Sequence, residues 1–345
     1  VSEDPIRQQL LKAIPEVTHN YTTGTTKPLG IGGVATYYTE VHGTVALVEA
    51  VKAACDANIP YRVIGQASST IVGDNGFNGL LIKNLSDSYA ISAEQSQLVV
   101  DSGMAMRRLI TIAASAELGG LISLYAAGGS VGGSLFYNSA SIFGKQQKLS
   151  DSLKSLTLLM PPSKMKPEPS IVRFKGTWLT SRLENGETKL ASIAAKSEGR
   201  IPVVLTSQLQ LTSLRSDEIS RRLSLEVEEV AHTEPAASEA SRYFGPIFIP
   251  PYGVTVEKVL EVLLAKKLEL EGLHLSRRYP NYLTYKSQLF RKPQLPMSVA
   301  RLEAFFKLIS SEVETVFSTK LQRAYTILET PPEVLSETEA ETADF

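Results

Sequence analysis

Between Tyr125 and Gly144 the chain reads YAAGGSVGGSLFYNSASIFG, with glycine at 128, 129, 132, 133 and 144 and no charged side chain. Glycine accepts backbone conformations closed to other residues and lets a ligand approach the main-chain amides. This much bare backbone therefore serves either as a tight turn between core elements or as a surface on which a phosphate lies.

Composition narrows the setting. With 345 residues, 43% of them apolar and 21% charged, the chain is expected to fold as several globular domains. Thirty-five basic against thirty-six acidic side chains give a formal charge of -1, which offers no general pull toward nucleic acid or an anionic membrane. The single cysteine, Cys55, excludes a disulfide scaffold and a cysteine-rich zinc site, and is expected as a small buried hydrophobe. His19, His42, His232 and His274 show no i, i+4 pairing that would suggest a metal site. No basic-plus-apolar leader opens the sequence and no apolar run is long enough to span a bilayer, so a cytoplasmic protein without membrane insertion is expected.

The periodicity predicts an α+β architecture. TYYTEV, TVALVEAVKAACDAN, YRVIG and GLLIKN read as strand, helix, strand and strand, with Leu47, Val48, Val51, Ala54 and Cys55 on the buried helix face. QLVVDSG predicts a strand, and MAMRRLITIAASAELGG a helix ended by Gly119 and Gly120. LKSLTLLMP and PVVLTSQLQLT read as strands flanking a long polar connection from Pro161 to Arg200. Beyond Ser213 the segments DEISRRLSLEVEEVAH, TVEKVLEVLLAKKLEL and SVARLEAFFKLISSEVETVF predict helices, the last with an apolar stripe of Leu302, Phe305, Ile309, Val313 and Val316. The expected organisation is two subdomains, 1–85 and 86–212, a third helix-rich α+β domain over 213–330, and a solvated acidic tail over 331–345.

A second loop pairs with the glycine run. YRVIG leads into GQASST, where Gly65, Gln66, Ser68, Ser69 and Thr70 gather amides and hydroxyls without charge. Alone it reads first as a serine-rich connection and second as a turn that hydrogen-bonds a pyrophosphate. Neither loop matches GxxxxGK[ST], nor a GxGxxG that joins strand to helix with a later acid, which disfavours P-loop and Rossmann sites. Two neutral loops able to clamp one dinucleotide from two sides fit a flavin.

These segments resemble the UDP-N-acetylenolpyruvoylglucosamine reductases of peptidoglycan synthesis, the MurB type, over nearly the whole chain. That family shows a threonine-rich approach to IGG, a GxGSN turn, DxGFxGxVI and then GIPGxVGGAxxxNAGAYG. Here the matching stretches are TTKPLGIGGVATYYTEV, GQASST, DNGFNGLLI and AAGGSVGGSLFYNSASIFG. The resemblance implies an FAD-binding fold of the PCMH or vanillyl-alcohol-oxidase type in two subdomains, followed by a substrate-side domain. It implies FAD held by Gly65, Gln66, Ser68, Ser69, Thr70, Gly128, Ser130, Val131, Gly132, Gly133 and Asn138.

The family's catalytic side chains do not carry over. In that family hydride comes from the flavin and a serine protonates the substrate carbon, assisted by an arginine and a glutamate. The serine's GSxFKNP segment corresponds to GPIFIPP, with Pro246 at the serine. The arginine's FxYRxS corresponds to RFKGTWLTS, with Thr177 at the arginine, and the glutamate's LEPEV corresponds to LQRAY, with Ala324 at the glutamate. Proline and alanine carry no proton to give, and loss of a general acid removes roughly 100- to 10,000-fold in rate.

Replacement donors are available in Arg242, Tyr243, His274, Arg277, Arg278 and Tyr282, each of which also reads as a solvent-facing charge or a half-buried aromatic. The paired Arg277 and Arg278 could meet a phosphate or nucleotide. The expectation is an FAD-binding protein without the parent reaction, with a UDP-sugar nucleotide or a protein as possible partner. The alternatives are a working NADPH-dependent reductase with substituted acids, and a flavin-free scaffold.

Overall fold

The computed structural model describes residues 4–137, 147–163, 166–180, 190, 201–251, 253–279, 281–285 and 297–330. Asn138 and the acidic tail lie outside these residues. The first group of elements comprises α1 (Pro5–Ala13), β1 (Thr18–Thr22), β2 (Val34–Val41), α2 (Thr44–Asp56), β3 (Tyr61–Ile64), β4 (Thr70–Val72) and β5 (Phe77–Asn84). Its sheet has the order β1-β2-β5-β3, and β5 runs parallel to both β2 and β3. Parallel neighbours need a crossover, which α2 supplies. That helix buries Leu47, Ala50, Val51, Ala53 and Ala54. Val48 and Cys55, expected on the buried face, are only half-buried, because the small alanines occupy the centre of the contact.

The second group holds β6 (Tyr89–Ser92), β7 (Gln97–Asp101), α3 (Met106–Ser115), β8 (Leu118–Gly119), α4 (Val131–Tyr137), β9 (Leu153–Met160), β10 (Ser170–Lys175), α5 (Gly176–Thr180), β11 (Val203–Gln210), β12 (Thr212–Ser213) and α6 (Ser216–Thr233). Its five-stranded sheet, β10-β9-β11-β7-β6, is antiparallel throughout. Helix α3 stops at Ser115 rather than at the expected glycines, because Glu117 already turns the chain with φ 55. Gly119 instead joins β8, opposite Thr212. Part of the expected long connection is ordered, since Ser170–Lys175 pairs in register with β9. Helix α6 begins after residue 213, yet Ile219 and Leu223 pack into this second core.

The third group contains β13 (Phe248–Ile249), α7 (Val256–Ala265), β14 (Glu269–Leu270), β15 (Leu273–Leu275), β16 (Leu283–Tyr285), α8 (Val299–Phe317), β17 (Gln322–Arg323) and β18 (Thr326–Leu328). Helix α7 is shorter than its periodicity suggests, because Lys267 turns the chain with φ 49 and Glu269–Leu270 pairs with β15. Helix α8 buries Leu302, Phe305, Ile309 and Val313, whereas Val316, expected on the same stripe, is 51% exposed in the last turn. Strand β18 returns to the first group and pairs in parallel with β4. Ile31 and Ile71 of the first group accordingly sit in the third core. No described helix is long and apolar enough to cross a membrane.

Candidate functional site

The loop from β3 to β4 and the glycine run meet face to face. A Cβ added at Gly65 would lie 2.0 Å from Ser130 Oγ, so the approach requires glycine at 65. Gly128 and Gly129 have φ 61 and φ 72, the left-handed region. A Cβ at Gly128 would meet nothing within 4 Å, and one at Gly129 would meet only Ser68 Oγ, at 3.4 Å. Open space thus lies above the turn, with Ser68 opposite.

The glycine run is strapped down from below. Val131 donates its amide to the Met104 carbonyl at 2.9 Å and Gly132 to the Ser102 carbonyl at 2.8 Å. Ser130 Oγ, in a side chain that is almost wholly buried, accepts from the Gly133 amide at 3.3 Å. The amides of Ser68, Ser69, Gly128 and Gly129 have no acceptor among the described residues. Unpaired amides on two facing loops suit an anion that needs donors but no full positive charge.

Two cavities flank these loops. The larger, about 350 Å³, is bordered by Gly65, Thr70, Ser130, Gly132 and Gly133 together with Arg62, Asn84, Phe136, Tyr137 and the apolar Val203, Val204 and Leu328. Burial pushes the Arg62 guanidinium below its usual value. The smaller, about 290 Å³, is bordered by Gln66, Ser68, Gly128 and Gly129 together with Arg107, Glu234, Pro246 and Tyr282.

The expected cofactor residues are therefore distributed around both cavities, with two departures. The Val131 side chain is fully buried in the second core, which leaves it a packing role. Ser69 borders neither cavity, and its carbonyl accepts from the Thr326 amide at 2.7 Å.

Of the three positions expected from the resemblance to stand at the family's catalytic side chains, Pro246 borders the smaller cavity. Its segment is fixed by the buried Asn281, whose Oδ1 accepts from the amides of Ile247 and Phe248 at 3.1 and 3.0 Å and whose Nδ2 donates to the Phe248 carbonyl at 2.7 Å. Ala324 is close by in the chain's weave, donating its amide to the Ile247 carbonyl at 3.1 Å. Thr177 is exposed on α5, which packs against β9, and borders neither cavity.

Among the replacement donors, only Tyr282 borders either cavity. Arg278 is engaged by Glu239 at 2.9 Å, so the expected arginine pair does not form an open phosphate site. His274 Nδ1 lies 3.2 Å from the Gly272 carbonyl, Tyr243 stacks edge-on against Tyr279, and Arg242 and Arg277 are exposed. The Tyr282 hydroxyl has no hydrogen-bond partner among the described residues. Burial, reinforced by the Glu234 carboxylate, pushes its pKa up.

Two residues of the smaller cavity are not apparent from the sequence. Arg107 Nη2 pairs with Glu234 Oε1 at 2.6 Å, and its Nε donates to the Tyr125 carbonyl at 3.1 Å. Arg107 reads as an ordinary polar position on α3, and its partner lies 127 residues away, so no local signal joins them. Among the described residues no cluster of side chains could hold a metal ion.

Residues 35–166 match the FAD binding domain family. The UDP-N-acetylenolpyruvoylglucosamine reductase of Lactobacillus helveticus is 33% identical over 129 residues, covering 36% of this chain and 42% of that protein. The enzyme of the same name from Anoxybacillus flavithermus is 22% identical over 284 residues, covering 81% of this chain and 86% of that protein. The chain thus spans less than half of the first relative and most of the second. The crystal structure of UDP-N-acetylenolpyruvylglucosamine reductase (MurB) from Thermus caldophilus superposes with a TM-score of 0.64 at 18% identity, over 90% of this chain and 98% of that one.

Residues 35–166 are an FAD-binding domain, in a chain that is similar to the MurB type along most of its length. The α+β architecture expected for that type is the one observed. The local geometry fits the cofactor, since unpaired amides and an open glycine turn suit a diphosphate, and the apolar walls of the larger cavity suit flat rings.

Proposed function

We propose that this MurB-type protein holds FAD across the two facing loops and does not run the reduction for which its relatives are named. In this reading the amides of Ser68, Gly128 and Gly129 bind the diphosphate, and Gly65, Gln66, Thr70, Ser130, Gly132 and Gly133 shape the walls. A bound FAD would supply hydride chemistry. The protein would have to supply the proton that completes reduction of a carbon-carbon double bond. The observation that carries the reading is Pro246 at the wall of the smaller cavity, which Gly128 and Gly129 also border. Proline has neither a side-chain proton nor a backbone N–H, so it can neither protonate a carbon nor hold a water by donation.

NADPH-dependent reduction of UDP-N-acetylglucosamine enolpyruvate by the FAD-loaded protein tests this. Absence of turnover supports the reading, and turnover at an ordinary enzymatic rate refutes it. One observation favours a second reading, a reductase with a substituted acid: the Tyr282 hydroxyl has no hydrogen-bond partner among the described residues, and Tyr282 borders the same cavity as Pro246. Under that reading Tyr282→Phe abolishes turnover while FAD binding is retained.

A further inference from the structure

Lys27 lies between two short 3-10 turns, Thr23–Thr26 and Pro28–Gly30, and the proline after it holds its own backbone extended. The segment is pressed onto the turn that follows β4. Gly33 donates its amide to the Val72 carbonyl at 2.8 Å, and a Cβ at Gly33 would lie 1.9 Å from the Gly73 carbonyl oxygen. From this fixed base Lys27 Nζ donates to the carbonyl of Ala67 and, at 3.0 Å, to that of Thr70. Among the described residues it has no carboxylate partner.

Three carbonyls of the 65–70 loop are thereby engaged. Lys27 takes the carbonyls of Ala67 and Thr70, and the Thr326 amide takes that of Ser69. In a trans peptide the C=O and N–H point in opposite directions. Capture of the Ala67 carbonyl therefore turns the Ser68 amide away from Lys27, and the Ser68 side chain stands against Gly129. Ala67 itself has φ 53, a conformation that alanine adopts only at a cost. An ammonium bonded to the carbonyl of that residue supplies compensation.

We propose that Lys27 is a positioning residue for the cofactor, whose ammonium holds the Ala67–Ser68 peptide with its amide presented to the FAD diphosphate and places a positive charge behind a loop that has none. This rests on the reading that FAD lies across the two loops. Burial lowers the Lys27 pKa to about 8, and no other charged group contributes to that shift. A diphosphate bound nearby favours the ammonium again, so above that pH binding takes up a proton and affinity falls.

The test is FAD affinity, followed by flavin fluorescence between pH 7 and pH 9, for the wild-type protein, Lys27→Arg and Lys27→Met. Wild-type affinity is expected to fall about tenfold over that range, given a pKa of about 8. Lys27→Arg keeps its charge throughout and is expected to show a flat profile. Lys27→Met is expected to bind roughly 10- to 100-fold more weakly at pH 7, having lost two charge-assisted hydrogen bonds. Wild-type affinity in Lys27→Met, or the same pH profile in Lys27→Arg as in the wild type, overturns the role of Lys27 and leaves FAD binding intact. A wild-type protein that takes up no FAD overturns both. If Lys27→Met fails to fold, the comparison of wild type with Lys27→Arg decides alone.

Discussion

Gly65 and Ser130, one from each facing loop, approach so closely that a methyl group on Gly65 would lie 2.0 Å from Ser130 Oγ. A methyl there must push the loops apart. Gly65→Ala is expected to lower FAD affinity at least tenfold and to cost about 1–3 kcal/mol of stability by overpacking. Adding Ser130→Gly removes the obstructing hydroxymethyl, so the double variant should regain part of both losses. FAD titration and urea unfolding measure the two effects, and strictly additive losses would contradict the contact.

Gly128 and Gly253 separate backbone cost from ligand contact. Both have positive φ, 61 and 76, and a Cβ at either meets nothing within 4 Å. Alanine at each should cost about 1–2 kcal/mol of stability for the left-handed backbone. Only Gly128→Ala should also weaken FAD binding, because its methyl enters the space above the turn. Equal FAD affinities in the two variants would remove the glycine run from the cofactor site.

Asn281 is 1% exposed and makes three hydrogen bonds to the segment that carries Pro246. Asn281→Ala removes the side-chain partners of the Phe248 amide and carbonyl, while the Ile247 amide keeps the main-chain carbonyl of residue 281 at 3.1 Å, at an expected cost of about 1–3 kcal/mol. Urea unfolding checks the value. A loss below about 1 kcal/mol would show that water replaces the side chain there.

Restoring one lost group should not restore the reaction. Pro246→Ser puts a hydroxyl at the cavity wall, but under the proposed reading the assisting acid and guanidinium are still missing. Catalytic groups that act together contribute non-additively. Turnover of UDP-N-acetylglucosamine enolpyruvate by Pro246→Ser is expected to remain below about one-hundredth of an ordinary enzymatic rate.

Much of this arrangement is legible in the sequence, and the exceptions share one physical cause. Gly65, Ser68, Gly128 and Gly129 stand out because bare backbone and small hydroxyls cluster locally, and the chain does bring them together. Arg107 and Glu234 do not stand out, because an ion pair spanning 127 positions leaves no local pattern. Lys27 is hidden for the same reason, reaching 40 positions ahead to the Ala67 carbonyl. Helix ends differ from the periodicity where Glu117 and Lys267 adopt left-handed backbone, a conformation more readily taken by glycine. Thr177, expected at the family's arginine, lies on α5, which packs against β9 and borders neither cavity.

The central claim is that the loops retain FAD while the proton donor is gone. Its most direct test is to reduce the FAD-loaded protein without oxygen, add UDP-N-acetylglucosamine enolpyruvate and follow the visible absorbance of the flavin. The account predicts a bound flavin spectrum before reduction and no reoxidation over minutes after the addition. Rapid return of the oxidised spectrum, or a protein that shows no bound flavin at the outset, would contradict it.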